Sequence, residues 1–437
     1  MTRIGFAYNQ KPDRSTGLTT AAAPEVGRPE EEPPSTRRDN ESRISHHPGS
    51  DAADARGQAV AVLVDDVYAE WDSPETIDAV AAALSVFGDV IRLEATPEFP
   101  ERLRAERPDI VFNIAEGLYG TNRESHVPAI CEFFDVPYSG SDPFTLALCL
   151  HKARTKNFLS VHGIPIARFA LVESDGDLAA YLDGRLPGAP RPSANSPVFL
   201  KPVQEGSSKG ITERNFVRSL DELEAQCRLL LETYAQPVIA ETFLPGAEFT
   251  CGVLGNGAGA VMLPPVAINF DSLPNGALPI YGFEAKWVWD TPDQPLDIFE
   301  CPARIDARLQ KAIEDVVLRS YRVLGCRDWA RIDVRLDAAG VPNIVEVNPL
   351  PGILPKPEDN SCLPKAARAA GLSYDELIQT CLRHAAQRTG VQLGGARRAT
   401  GGTITTASGS GDAPSPVARR PSPDQSSAAR RPSPAAR

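Results

Sequence analysis

The chain has 437 residues and a formal net charge of −12, enough length for two or three domains with their own cores. The acid excess argues against nucleic acid as the main partner, which needs a basic face. No apolar run approaches the roughly 18 residues that span a bilayer, and the first residues show no charged-then-apolar leader. A cytoplasmic protein with no membrane partner is expected.

Residues 12–57 are rich in Pro, Ser, Arg and Glu and poor in large apolar side chains, so a disordered or loosely inserted segment is expected there. Two stretches compete for the first core strand, residues 3–8 and Val60–Val64. The second is preferred because its link to the next helix is short. That helix opens at Ser73-Pro74-Glu75, an N-cap followed by Pro at the first helical position, and runs to about Val86. Strands at Val90–Leu93 and Ile110–Ile114 follow, and this alternation signals an open, largely parallel sheet. Helices are read at Glu124–Phe134, Pro143 to about His162, Asp221–Tyr234, Ile305–Leu324 and Ser373–Gln387. Strands are read at Val198–Leu200 and Val238–Glu241, with an antiparallel pair at Thr250–Leu254 and Ala260–Val266. From about Gly394 the chain is Gly-, Ser-, Pro- and Arg-rich and repeats ARRPSP, so no structure is assigned to it. The eight cysteines are scattered without a CxxC pair and mostly lie in apolar runs, where they read as buried thiols.

Four stretches carry chemistry. Ala330 to Ile353 alternates on both sides of the turn Asp337-Ala-Ala-Gly340, as a β-hairpin does. Arg331, Asp333 and Arg335 share one face of its first strand; Ile344, Glu346 and Asn348 share one face of the second, with Val345 and Val347 opposite. Asp333, Glu346 and Asn348 are hard oxygen donors of the kind magnesium prefers. Lys201 ends a short apolar strand and is followed by Glu205-Gly-Ser-Ser-Lys-Gly210, whose backbone N–H groups and hydroxyls can wrap a phosphate. Glu241 to Glu248 places a carboxylate, a turn with the Leu244 backbone and a second carboxylate in reach of a heterocycle and its ribose. Lys286 lies in an aromatic segment. Taken singly, these are as well explained by a solvated hairpin, a flexible loop, a surface turn and a lysine lying along a core edge. Their order along one continuous region argues for a single site.

That order resembles the D-alanine–D-alanine ligase family of ATP-grasp enzymes, over roughly Val60 to Ala386. The matching motifs are KPVQEGSSKG (Lys201–Gly210), AETFLPGAEFT (Ala240–Thr250), FEAKW (Phe283–Trp287), RIDV (Arg331–Val334) and EVNPLPG (Glu346–Gly352). PYSGSD (Pro137–Asp142), Lys152 and LPKAARAAGLSYDELI (Leu363–Ile378) add to them. The resemblance implies an α/β (α+β) ATP-grasp fold with an N-terminal open parallel-sheet domain over 58–145 and an ATP-grasp domain over 146–388. The latter divides into a lid at about 165–245 and a metal-binding part at about 246–388.

The resemblance also implies roles. Lys152 and Lys201 would hold the phosphates of ATP, with Ser207 and Ser208 closing over them. Glu241 and the Leu244 backbone would bind adenine, Glu248 the ribose, and Lys286 the γ-phosphate. Asp333, Glu346 and Asn348 would hold two magnesium ions, or manganese in their place. Arg331 would offset charge on the tetrahedral intermediate, and Arg331, Lys286, Ser208 and Glu70 form the implied catalytic set. Glu70, Glu116 and Ser361 would meet the amino-acid substrates. Ligases of this type are commonly dimers, so a homodimer is expected.

The departures fall at the amino-acid end. Asp65-Asp66 replaces the family's Gly-Gly motif, Glu116 its histidine, His151 the aspartate before the lysine, and Pro349 the threonine after Asn348. The expected activity is therefore ligation of D-alanine to D-alanine or of a related pair. The alternatives are a ligase for another amino-acid pair in specialised metabolism and a non-catalytic ATP-binding regulator.

Overall fold

The computed structural model describes residues 1–12, 68–186, 188–282, 285, 289 and 296–394. β1 (Thr2–Tyr8) is the middle strand of a parallel sheet in which β2 (Gly88–Glu94) and β3 (Ile110–Asn113) flank it. Ile4 and Phe6 pack with Ile77, Val80 and Leu84 of α1 (Pro74–Leu84). Ala7 packs on the opposite face with Leu93, Val111 and with Phe99 and Leu103 of α2 (Phe99–Glu106). Burial on both faces is what a parallel sheet requires, and the apolar run from Ile4 to Tyr8 supplies it.

The preferred first strand, Val60–Val64, lies outside the described residues, and residues 2–8 hold the central place. The loop-length argument fails for a local reason. Lys11 donates its N–H to the Asp72 carbonyl at 2.8 Å and Asp72 donates to the Asn9 carbonyl at 3.0 Å, so the chain re-enters beside the strand it left. Entry to α1 is as expected: Ser73 Oγ accepts from the Thr76 N–H, with Pro74 in the first turn.

After α3 (His126–Phe133), the single helix expected from Pro143 to His162 is two, α4 (Pro143–Leu150) and α5 (Lys152–Val161). His151 is extended between them (φ −94°, ψ 91°) and caps α5, its Nδ1 accepting from the Arg154 N–H. The break has a consequence for the site, because it puts Lys152 in the first turn of α5 with its N–H on the Val203 carbonyl.

A second, antiparallel sheet contains β4 (Phe169–Val172), β5 (Val198–Pro202), β6 (Phe216–Val217) and β7 (Val238–Thr242) in the order β4-β7-β5-β6. Helices α6 (Asp175–Leu182) and α7 (Leu220–Tyr234) cover one face through Leu178, Tyr181, Leu223, Cys227 and Leu230.

The third sheet runs β11-β10-β8-β12-β13, from β8 (Glu248–Leu254), β10 (Val266–Ile268), β11 (Phe299–Glu300), β12 (Trp329–Leu336) and β13 (Pro342–Asn348). The strand expected over Ala260–Val266 is divided into β9 (Val261–Met262) and β10, both paired with β8. Pro264 and Pro265 stand between them, and proline has no N–H to give to a ladder. Helix α8 (Ala307–Val323) packs Ile313, Val316, Val317 and Tyr321 against Ile332 and Val334.

Trp329 meets Phe112 of the first sheet with ring centroids 5.7 Å apart. Helices α9 (Cys362–Ala369) and α10 (Tyr374–Thr389) share one core with α1. Six of the cysteines are buried and two half-buried. Among the described residues no helix is long and apolar enough to cross a membrane.

Candidate active site

The β12–β13 hairpin pairs Asp333 with Glu346 and Arg331 with Asn348. The register slips by one between Asp333 and Val334, leaving Val345 as an extra residue. This corrects one expectation. Ile344 does not share the face of Glu346 and Asn348; it packs in the core with Val347, and Val345 lines the cavity instead. The bulge therefore confines the polar face of β13 to its last turn of chain, beside Asp333.

Asp333 accepts from Thr250 Oγ1 at 3.0 Å, from Asn348 Nδ2 at 3.3 Å and from Arg331 at 3.1 Å. Glu346 meets Lys152 Nζ at 2.8 Å. Burial alone would raise the Glu346 carboxyl, but Lys152 and Arg331 hold it below its ordinary range, so it is anionic at neutral pH. Arg331 Nε is buried and has no hydrogen-bond partner among the described residues, a donor left over for an anionic ligand. Among the described residues no three His, Cys, Asp or Glu side chains gather as a metal cluster. Two carboxylates and an amide suit magnesium, which takes its remaining ligands from water and phosphate.

Opposite the hairpin, the last residue but one of β7 is Glu241, whose side chain is clamped by Lys201 at 2.9 Å and Lys156 at 2.8 Å. Burial pushes this carboxyl up, yet the two ammonium groups overcome it and hold it at about 2. Lys156 was not foreseen, although its spacing of four from Lys152 puts both on one helix face. Arg335 donates to the Leu244 carbonyl at 2.6 Å, Glu248 at 2.7 Å and the Pro279 carbonyl at 2.8 Å. Among the described residues the Leu244 N–H has no hydrogen-bond partner. Burial raises the Glu248 carboxyl despite Arg335.

The loop after β5 has Ser207 and Ser208 in the left-handed region, at φ 49° and 62°. Lys152 Nζ donates to the Glu205 carbonyl, and Ser208 Oγ to the Tyr281 carbonyl at 3.2 Å. Glu70 is held by Lys209 at 2.9 Å and Arg123 at 3.1 Å. Glu116 and Glu124 line the same cavity. Burial, followed by Glu124 and Glu70, pushes Glu116 well above its ordinary range; burial and Glu70 push Glu124 to about 8. Ser361 Oγ accepts from the Leu354 N–H and donates to the Gly352 carbonyl, both at 3.2 Å.

One cavity of about 720 Å³ is lined by Glu70, Glu116, Lys152, Lys201, Ser207, Ser208, Glu241, Leu244, Glu248, Arg331, Asp333, Glu346, Asn348 and Ser361. Every expected site residue within the described part thus converges. Lys286 lies outside the described residues. The sequence reading missed Lys156, Arg335 as a ligand of Leu244, Arg123 and Lys209. Three of these carried a signal: the alternation placed Arg335 on the face of Arg331 and Asp333, the spacing of four placed Lys156 beside Lys152, and Lys209 lies within the Glu205–Gly210 motif; Arg123 carried none.

Residues 158–383, just over half the chain, match the family described as D-ala D-ala ligase C-terminus. The D-alanine–D-alanine ligase of Cupriavidus taiwanensis is 34% identical over 270 residues, covering 62% of this chain and 73% of that relative. That of Cupriavidus pinatubonensis is 32% identical over 300 residues, covering 68% and 83%. The crystal structure of D-alanine–D-alanine ligase from Bacillus anthracis complexed with ATP superimposes with a TM-score of 0.57 at 19% identity, covering 89% of this chain and 99% of that one. At that identity it speaks for the fold.

Proposed function

Because the chain belongs to the D-alanine–D-alanine ligase family, we propose that it joins D-alanine to D-alanine through an acyl phosphate. It is an ATP-dependent ligase of ATP-grasp fold that acts on small amino acids. The observation that supports the finer reading is the charge layout of one cavity, with Asp333 and Glu346 on one wall and Lys152, Lys201 and Arg331 converging on the same space.

In this reading the carboxylate of the first amino acid attacks the γ-phosphorus of ATP and ADP leaves. The amine of the second then attacks the acyl carbon, phosphate leaves, and the amine's extra proton passes to solvent or phosphate. Lys152 and Lys201 steady the phosphates, Ser207 and Ser208 close over them, and Lys286 adds a further cation. Glu241 and the Leu244 N–H receive the adenine, and Glu248 accepts from the ribose. Arg331 offsets charge on the tetrahedral intermediate. Asp333, Glu346 and Asn348 would hold two magnesium ions, which neutralise phosphate charge when bound. Glu70, Glu116 and Ser361 border the amino-acid end. We place the protein in the cytoplasm, as a homodimer. We also divide it into a first domain to about residue 145, now including β1, a lid at about 165–245 and a metal-binding part at about 246–388.

One observation favours a different amino-acid pair: Glu116 and Glu124 line that end, and among the described residues neither carboxylate has a hydrogen-bond or ion-pair partner. Phosphate release from ATP and magnesium is therefore to be measured against D- and L-amino acids, basic ones included, with product mass. D-alanyl-D-alanine with stoichiometric phosphate is the expected result. Release only with another pair would replace the substrate, and no release with any pair would leave a nucleotide-binding regulator. Asp333→Ala and Glu346→Ala should both abolish turnover; wild-type rates in either would refute the metal assignment.

A further inference from the structure

We propose that Arg123 and Lys209 are positioning residues, which clamp the Glu70 carboxylate from two sides and so hold the Glu205–Gly210 loop down on the cavity. The inference rests on the ligase reading for its kinetic consequences, though not for its geometry. Glu70 lies in the turn before α1, Arg123 in the short helical turn before α3, and Lys209 in the loop itself. The three side chains are 7–9% exposed, so water screens their attraction little. Lys209 Nζ is 2.9 Å from Glu70 and 3.5 Å from Glu205; Arg123 is 3.1 Å from Glu70 and 3.9 Å from Glu205.

The base of the loop is fastened to the same element. Arg123 donates to the Gln204 carbonyl at 3.1 Å, and Gln204 Nε2 donates to the Thr121 carbonyl at 2.7 Å. The fit is close: a Cβ on Gly206 would stand 2.3 Å from Glu70 Oε1 and would have to push that carboxylate aside. The loop also carries strain. Ser207 and Ser208 are consecutive non-glycine residues at positive φ, a conformation that persists only where the surroundings fix it. The clamp provides that fixing, with the Ser208–Tyr281 hydrogen bond as a second tie.

A loop held in this way serves the reaction in two respects. Its N–H groups and hydroxyls are set for phosphate before ATP arrives. It also shields the acyl phosphate from water until the amine attacks. Neither role needs Arg123 or Lys209 to touch a reacting atom.

The test uses the full chain with Lys209→Met, Arg123→Met and Lys209→Arg. Hydrogen exchange of the 205–210 amides is read without ligand and with a non-hydrolysable ATP analogue. KM for ATP, kcat and the ratio of phosphate released to amide formed are read in turnover. Lys209→Met and Arg123→Met should each speed exchange in the free chain by about tenfold or more. They should also raise KM for ATP and lift the phosphate-to-amide ratio above that of wild type, and Lys209→Arg should restore all three. Unchanged loop exchange in the Met variants would overturn the proposal, as would a Lys209→Arg variant no better than Lys209→Met. If a Met variant fails to fold, Glu70→Gln, which keeps the shape and removes the charge, is read in the same way. A wild type that forms no amide with any pair would sink the ligase reading, and free-chain exchange would still decide the clamp.

Discussion

Lys152 Nζ stands 2.8 Å from Glu346 Oε1, so the first turn of α5 and the last turn of chain in β13 neutralise one another across the cavity. Both side chains are largely buried, at 8% and 24% exposure. The same ammonium group donates to the Glu205 carbonyl, so among the described residues Lys152 ties the hairpin to the Glu205–Gly210 loop.

Removing that cation should expose the charge of the hairpin. Lys152→Met leaves Glu346 without its nearest partner, and a buried pair broken on one side costs up to about 3–5 kcal/mol, less here because Glu346 is partly exposed. The thermal midpoint should fall. Magnesium without nucleotide should then stabilise Lys152→Met more than it stabilises wild type, since a dication that binds only the folded state adds stability by linkage. Melts with and without magnesium decide this. Equal magnesium shifts in the two proteins would argue against a metal at Asp333 and Glu346.

The hairpin also shows how far the sequence could be read. The alternation through Arg331, Asp333 and Arg335 predicted one polar face, and the structure has it. Past the turn, strict alternation put Ile344 on that face, and the bulge at Val345 turned it into the core. A bulge is set by packing on both sides of a sheet, which no local pattern records. The split at His151 was missed for a related reason: apolar spacing continues through it, and only the cap geometry marks the new helix start. The clamp on Glu70 was invisible because Glu70, Arg123 and Lys209 are far apart in the chain, and long-range ion pairs leave no period. What was legible was the order of motifs, and that order carried the site.

Glu241 gives a second, pH-dependent prediction. Its carboxyl is held at about 2 against an ordinary 4.5, by Lys156 and Lys201 acting against burial. A depressed carboxyl contributes stability that is present above pH 4.5 and is lost as the pH falls toward 2. Lys156→Met, at a position 2% exposed, removes one of the two cations and should lower stability at pH 7 by about 2–4 kcal/mol, short of a complete pair loss because Lys201 remains. The deficit should shrink as the pH falls below 4.5, where wild type loses the same contribution. Urea unfolding at pH 7 and pH 3 measures it. A deficit that stays constant between the two would mean that Lys156 acts through packing alone.

Glu124 titrates in the opposite sense. Burial is the main cause of its rise to about 8, with the Glu70 charge adding to it and Arg123 and Lys152 pulling the other way. A carboxyl raised above its unfolded value binds more protons in the folded state. Its contribution is complete below about pH 4.5 and is lost as the pH climbs through 8, so wild type should weaken steadily across that interval. Glu124→Gln keeps the side-chain shape and removes the titration. Its thermal midpoint relative to wild type should therefore rise from pH 5 to pH 8.5. Glu116 and Asp72 are raised for the same reason, burial first, so the variant should keep part of the downward slope rather than become flat. Melting curves at pH 5, 6.5 and 8.5 on both proteins without ligand provide the measurement. Midpoints that run parallel across all three would show that Glu124 is already ionised in the folded chain. Arg123 and Lys152, the cations that already act against burial, would then outweigh it.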